Sequence, residues 1–135
     1  MSDAGLITIP SPYPVGETID RLTDAITSAG FRVFVRVDHR LGAEAVGMEL
    51  RPTELLVFGN ARGGTPLMQD RQTIGIDLPI KALAWEDEDG RVWLSYNDPA
   101  WLAGRHGLSA GADPSVAAMT KALASVTAAA TGAQT

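Results

Sequence analysis

The chain has 135 residues, 45% hydrophobic and 20% charged, which suits one domain with a buried core and is ordinary globular composition rather than that of a disordered chain. Eleven basic against sixteen acidic side chains leave a net charge of −5, which argues against nucleic acid as a partner; without cysteine there are no disulfides, thiolate metal sites or cysteine nucleophile. No apolar run approaches the ~18 residues of a membrane span, and the opening MSDAGLITIP lacks the basic flank and apolar core of a signal peptide, so the expectation is a cytoplasmic protein with no membrane partner.

In chain order, Leu6 to Ile9 is a short β-prone run stopped by Pro10, Pro12 and Pro14. Val15, Ile19, Leu22, Ile26 and Ala29 then recur at steps of four and three, one stripe of an amphipathic helix that Gly30 can end. Phe31, Val33, Val35 and Val37 alternate with Arg32, Phe34 and Arg36, which predicts a strand with one strongly buried face. Asp38 can N-cap a short helix reaching about Gly47. Glu54 to Phe58 is continuous and apolar, as in a central strand buried on both faces. Gly59 to Pro79 has no clear period and reads as a long connection, of a length that is usually functional or holds a short helix.

Ile80 to Glu86 and Arg91 to Asn97 flank Asp87-Glu-Asp-Gly90, a hairpin signal whose acidic tip reads as a solvated turn. Asp98-Pro99 opens a further helix as cap and first helical residue. Asp113-Pro114 repeats that signal, with Val116, Met119, Leu123 and Val126 as the buried stripe, and the tail beyond Ala130 is expected to fray. The chain contains no internal repeat or linker, so residues 1–135 are expected to form a single domain. The order of elements predicts an α+β two-layer domain, a mixed β-sheet with helices packed on one face.

The stretch FGNARGGTPLMQ (58–69) runs from a strand into a glycine-rich turn, where a phosphate loop would sit. Gly59 and Gly64 have the right spacing, but Thr65 and Pro66 stand where lysine and Ser/Thr belong, so the loop lacks the charge that pairs with phosphates. Pro66 also removes a backbone donor. The expectation is instead a folded loop in which Gly63-Gly64 supply unusual backbone angles and Pro66 starts a short helical turn through Gln69.

FGNARGGTPLMQ together with GIDLPIKALAWEDEDGRVWLSYNDP (75–99), Asp38-His39, Leu50-Arg-Pro-Thr53 and Arg105-His-Gly107 resembles the bacterial and archaeal domain-of-unknown-function family 302. The likeness covers most of residues 5 to 108, with the C-terminal helix of about 113–130 beyond it. Ala61 departs from the family pattern, which usually has proline after Phe-Gly-Asn. The resemblance implies a compact α+β fold and self-association. It implies no activity.

Among residues that carry chemistry, His39 follows a strand and His106 lies near the C-terminal end of the Asp98 helix, where its charge suits the helix dipole. Two histidines without close spacing, and no cysteine, predict no metal and no cofactor. Asn60, Asp77 and Asn97 fall at or near strand ends, so the long loop can roof a small polar pocket to which Thr65, Gln69 and Lys81 contribute. Asp77 precedes Leu78-Pro79, and capping the loop is its simplest role. Trp85 and Trp93 are equidistant from the hairpin's centre and read as cross-strand neighbours in core packing or a dimer interface. A serine-histidine-acid triad has no Gly-x-Ser-x-Gly elbow to carry it.

Three functions remain at this level. The first is a protein that binds a small polar molecule under the 59–79 loop through Asn60, Thr65, Gln69 and Lys81. The second is a cofactor-independent acid–base enzyme (isomerase, lyase or cyclase) using His39 and Asp77. The third is an oligomeric interaction protein. A homodimer is expected, built on the hairpin aromatics or on Leu67 and Met68.

Overall fold

A computed structural model of the chain describes residues 2–132, so most of the expected fraying of the tail falls outside the described residues. Strands β1 (Ser2–Asp3), β2 (Leu6–Ser11), β3 (Arg32–Asp38), β4 (Thr53–Gly59), β5 (Ile80–Glu86) and β6 (Val92–Asn97) form one sheet in the order β1-β2-β6-β5-β4-β3. Helix α1 (Val15–Ser28) joins β2 to β3, α2 (His39–Ala45) joins β3 to β4, and α3 (Ala61–Asp70) follows β4. Helices α4 (Pro99–His106) and α5 (Asp113–Thr131) close the chain. The fold is α+β in two layers with helices on one face, as the element order implied.

The sheet is antiparallel at every pairing, which corrects the expectation of a mixed sheet. The β2-α1-β3 crossover has the look of a unit that makes parallel neighbours. Here it passes over β6, β5 and β4, so the two strands it joins never touch.

Helix α1 forms because its apolar residues recur at helical spacing. Ile19, Leu22 and Ile26 are fully buried against α5 and the sheet, each worth about 1.5–3 kcal/mol relative to exposure. Gly30, just past its end, takes the left-handed φ of +88° that lets the chain turn into β3. In α5 the stripe Val116, Met119, Leu123 and Val126 is buried as read, although Asp113 lies inside the helix and makes no side-chain cap.

Strand β3 departs from its simple alternation. Its register with β4 shifts between Val33 and Val35, and this bulge reverses which side chains face the helices. Val33 packs on the core, but Val35 is 46% exposed. Arg36 instead turns to α1, where it bonds Asp20 at 2.6 Å and the Gly16 carbonyl at 3.2 Å. Strand β4 is likewise buried on one face only: Leu56 and Phe58 lie in the core while Leu55 and Val57 are partly exposed.

The face of the sheet away from α1 and α5 carries apolar side chains whose polar neighbours are already paired. Trp85 and Trp93 are direct cross-strand partners with ring centroids 6.4 Å apart. The Trp85 indole donates to Ser95 Oγ at 2.9 Å, which also bonds Thr8 at 2.8 Å; the Trp93 indole donates to Asp87 at 2.9 Å.

Candidate functional site

The glycine-rich stretch is helix α3, not an irregular loop. Asn60 caps it: its Oδ1 accepts from the Arg62 amide at 2.9 Å, and its carbonyl accepts from the Gly63 and Gly64 amides, both at 2.9 Å. Gly63 and Gly64 are therefore ordinary helical residues with negative φ, and Pro66 lies within the helix instead of starting it. The propensity of Gly-Gly-Thr-Pro for turns is overridden by this cap and by Leu67, which α3 buries to 2% exposure. A short 3₁₀ segment, Gln72–Asp77, completes the connection to β5.

Between α3, the start of β5 and α5 lies a cleft of about 220 Å³. Its walls include Phe34, Gly64, Met68, Leu78 and Met119, and among the described residues Asn60 is the one polar side chain that lines it. Gly64 keeps the helix wall thin: a Cβ there would sit in ordinary contact, 3.5 Å from Leu78 Cδ1 and 4.0 Å from the Met68 methyl.

The structure sorts the expected site residues. Asn60 lines the cleft, but Thr65 and Gln69 are exposed on the outer side of α3. Lys81 donates to the Pro79 carbonyl at 3.1 Å and shares a water-sized void of about 10 Å³ with Asp77 and Asn97. The polar pocket expected from the sequence is thus an apolar cleft, because a capped helix turns its small and apolar residues inward and its polar ones outward.

His39 and Asp77 do not meet. His39 is exposed at the start of α2, beyond the Asp38–Glu54 end of the sheet, whereas Asp77 lies beyond the Phe58–Ile80 end. The partner of Asp77 is His106, whose Nε2 approaches its carboxylate at 2.6 Å, with Arg105 adding contacts of 2.9 and 3.0 Å. With the carboxylate accepting from Arg105, Nε2 is the nitrogen that holds the hydrogen. In the neutral ring Nδ1 then accepts from the Thr73 hydroxyl at 3.1 Å. The cluster fastens the 3₁₀ segment to the end of α4. His106 had been legible only as a helix-end cation; its partly buried partner Asp77 lies 29 positions away in sequence.

Two carboxylates, exposed Asp70 and half-buried Asp87, have pKa values held below the ordinary range. For Asp70 the cause is the hydroxyl and amide of Ser109; for Asp87 it is first the Trp93 indole, then the Arg91 amide. Both fasten turns. Among the described residues, no group of three or more His, Asp or Glu side chains is placed to hold a metal.

The family model described as "Domain of unknown function DUF302" matches residues 7–126. Curated relatives include "Fluoride-specific ion channel FluC 1" of Brucella suis biovar 1, which is 54% identical over 125 residues, covering 93% of this chain and 49% of that protein. "Fluoride-specific ion channel FluC 2" of Brucella melitensis biotype 1 matches at 54% over 125 residues, covering 93% of this chain and 46% of that protein. The chain spans about half the length of the curated relatives it matches. Among solved structures, "Crystal structure of uncharacterized conserved protein DUF302 from Bacillus stearothermophilus" superposes with a TM-score of 0.83 at 20% identity, covering 93% of this chain and 98% of that one. That likeness establishes the fold alone.

Proposed function

The chain belongs to the DUF302 family, and we propose that this member binds a small, largely apolar molecule in the cleft beneath α3. The observation that carries the reading is the cleft itself: about 220 Å³ of space beside the core, walled by carbon and thioether, with one amide at its rim. A solvent-open apolar cleft of this kind keeps carbon in contact with water, and covering that surface with an apolar molecule is favourable. The small polar ligand expected from the sequence gives way to an apolar one, because Thr65, Gln69 and Lys81 do not line the cleft. The acid–base reading with His39 and Asp77 has no shared site to act in. Substituting Gly64 by leucine is the direct test: binding of small apolar probes should be lost while the fold remains, and unchanged binding would refute the proposal.

A second reading, of assembly, rests on the open sheet face. We propose a homodimer formed through it. Five long strands about 4.8 Å apart and about six residues long cover roughly 500 Å² in flat projection, which side-chain relief brings toward the ~800 Å² per partner of a standard interface. Leu67 is buried within its own chain and has no part in such a contact, which leaves Trp85 and Trp93 of the original candidates beside Met68 at the cleft. Because the indole donors are already paired internally, a second copy would meet hydrocarbon around them, with Lys81, bonded to the Pro79 carbonyl, as the charged group of β5 on the same face.

The name borne by the curated relatives bears on this chain through the half it shares with them. We propose a cytoplasmic role for that shared half beside a channel, not as its conducting path. No helix of the described residues is long and apolar enough to cross a membrane, and a carbon-lined cleft is a poor host for a hydrated anion.

A further inference from the structure

Resting on the ligand-binding reading above, we infer that the ligand is a neutral, planar aromatic molecule of about two fused rings that carries one hydrogen-bond acceptor. Size comes first. A dry cavity of about 150 Å³ holds one benzene ring. The cleft, at about 220 Å³ and open to solvent on one side, has room for about two fused rings.

The lining supplies the aromatic preference. Met68 from α3 and Met119 from α5 bring thioethers to the cleft from separate helices, and Phe34 stands at its mouth with half its surface exposed. Thioether sulfur and a phenyl ring both favour an aromatic guest over an aliphatic one of equal volume. Three glycines line the same space. Added Cβ atoms would come within 3.2 Å of Met68 Sδ at Gly75, 3.4 Å of Pro79 Cβ at Gly59 and 3.5 Å of Leu78 Cδ1 at Gly64. Bare backbone at three points leaves the walls close and smooth, a shape suited to a flat body.

Asn60 fixes the polar end. Its Oδ1 is committed to the Arg62 amide, and this cap sets the side chain's orientation. The NH₂ group is then the side-chain donor at the rim, so the ligand must bring an acceptor. Among the described residues no charged side chain lines the cleft, and hence none of them compensates a charged ligand.

The test titrates the full chain with coumarin (two rings and a carbonyl), naphthalene (two rings, no acceptor) and octan-2-one (a carbonyl on an aliphatic chain), followed by amide NMR shifts. Coumarin should saturate with shifts centred on Gly64, Gly75 and Ile80, and bind at least about fivefold tighter than octan-2-one. Asn60→Asp keeps a capping oxygen but removes the donor; it should lower the coumarin-to-naphthalene affinity ratio by about fivefold or more, and Asn60→Gly, a tolerated cap with no side-chain donor, should lower it likewise. Octan-2-one binding as tightly as coumarin at the same amides would overturn the aromatic assignment and leave the ligand-binding reading standing. An unchanged ratio in both variants would overturn the acceptor. Failure of all three probes to shift any cleft amide would remove the ligand-binding reading and this inference with it.

Discussion

Gly64 separates the fold from the cleft more cleanly than any other position. It is a buried residue of α3, and a Cβ added there meets only the flexible ends of Leu78 and Met68, at 3.5 and 4.0 Å. Gly64→Ala therefore gains helix propensity and displaces nothing, a stabilisation of about 0.8–1 kcal/mol. Gly64→Leu adds three further carbons directed into the cleft, and their partial burial contributes about 1–2 kcal/mol more. For a chain of this length each kcal/mol moves Tm by roughly 3–5 °C, so the alanine variant should melt about 3–5 °C higher and the leucine variant about 6–12 °C higher. Calorimetric melting gives the first reading and a coumarin titration the second. Alanine should leave binding within about twofold of the parent, while leucine should abolish it. The combination of raised stability and lost binding is the signature of a cleft kept open for a ligand. A leucine variant that melts lower than the parent, or binds coumarin as well, would refute this reasoning.

Three other outcomes are expected. Light scattering at micromolar concentration should give particles of twice the 14.2 kDa chain mass, and Leu83→Arg, which puts a charge on the open sheet face, should halve it; a monomeric parent would end the dimer proposal. Fluoride-loaded liposomes incubated with the purified chain should retain their fluoride, and efflux would contradict a role outside the conducting path. Because the pKa of Asp87 is depressed in the folded chain, its stabilising contribution is present above the unfolded carboxylate range and is lost as pH falls through the lower folded value. Asp87→Asn removes that titration, so its Tm should fall less than the parent's on acidification below about pH 4; identical slopes would show that the Trp93 and Arg91 bonds do not favour the ionised carboxylate.

The sequence carried the parts of the fold that depend on local pattern. The α1 stripe, the β5–β6 hairpin with its Asp-Gly turn, and the Asp38 and Asp98 caps are all set by residues within a few positions of one another. What it hid was set by contacts across the chain. The β3 bulge answers to Asp20 and Gly16 on α1, so an alternating run reads as one buried face when it is two half-faces. The antiparallel sheet depends on how far the α1 crossover travels, which no residue in α1 announces. Gly-Gly-Thr-Pro looked like a loop because propensity disfavours it in a helix, and the Asn60 cap with Leu67 burial reversed the balance. That residues 59–79 are more than a plain connection was legible; that they border an apolar cleft was not, since that follows from which side of α3 faces α5.

The cleft's occupancy can be observed through its two methionines. With the methionine methyl groups isotopically labelled, nuclear Overhauser contacts between bound coumarin and the protein should appear at both Met68 and Met119, the two thioethers that enter the cleft from α3 and α5. Contacts at Met68 and Met119 that vanish in Gly64→Leu are what a ligand seated beneath α3 requires. Contacts confined to Trp85 and Trp93 on the open sheet face, or none at saturating coumarin, would contradict it.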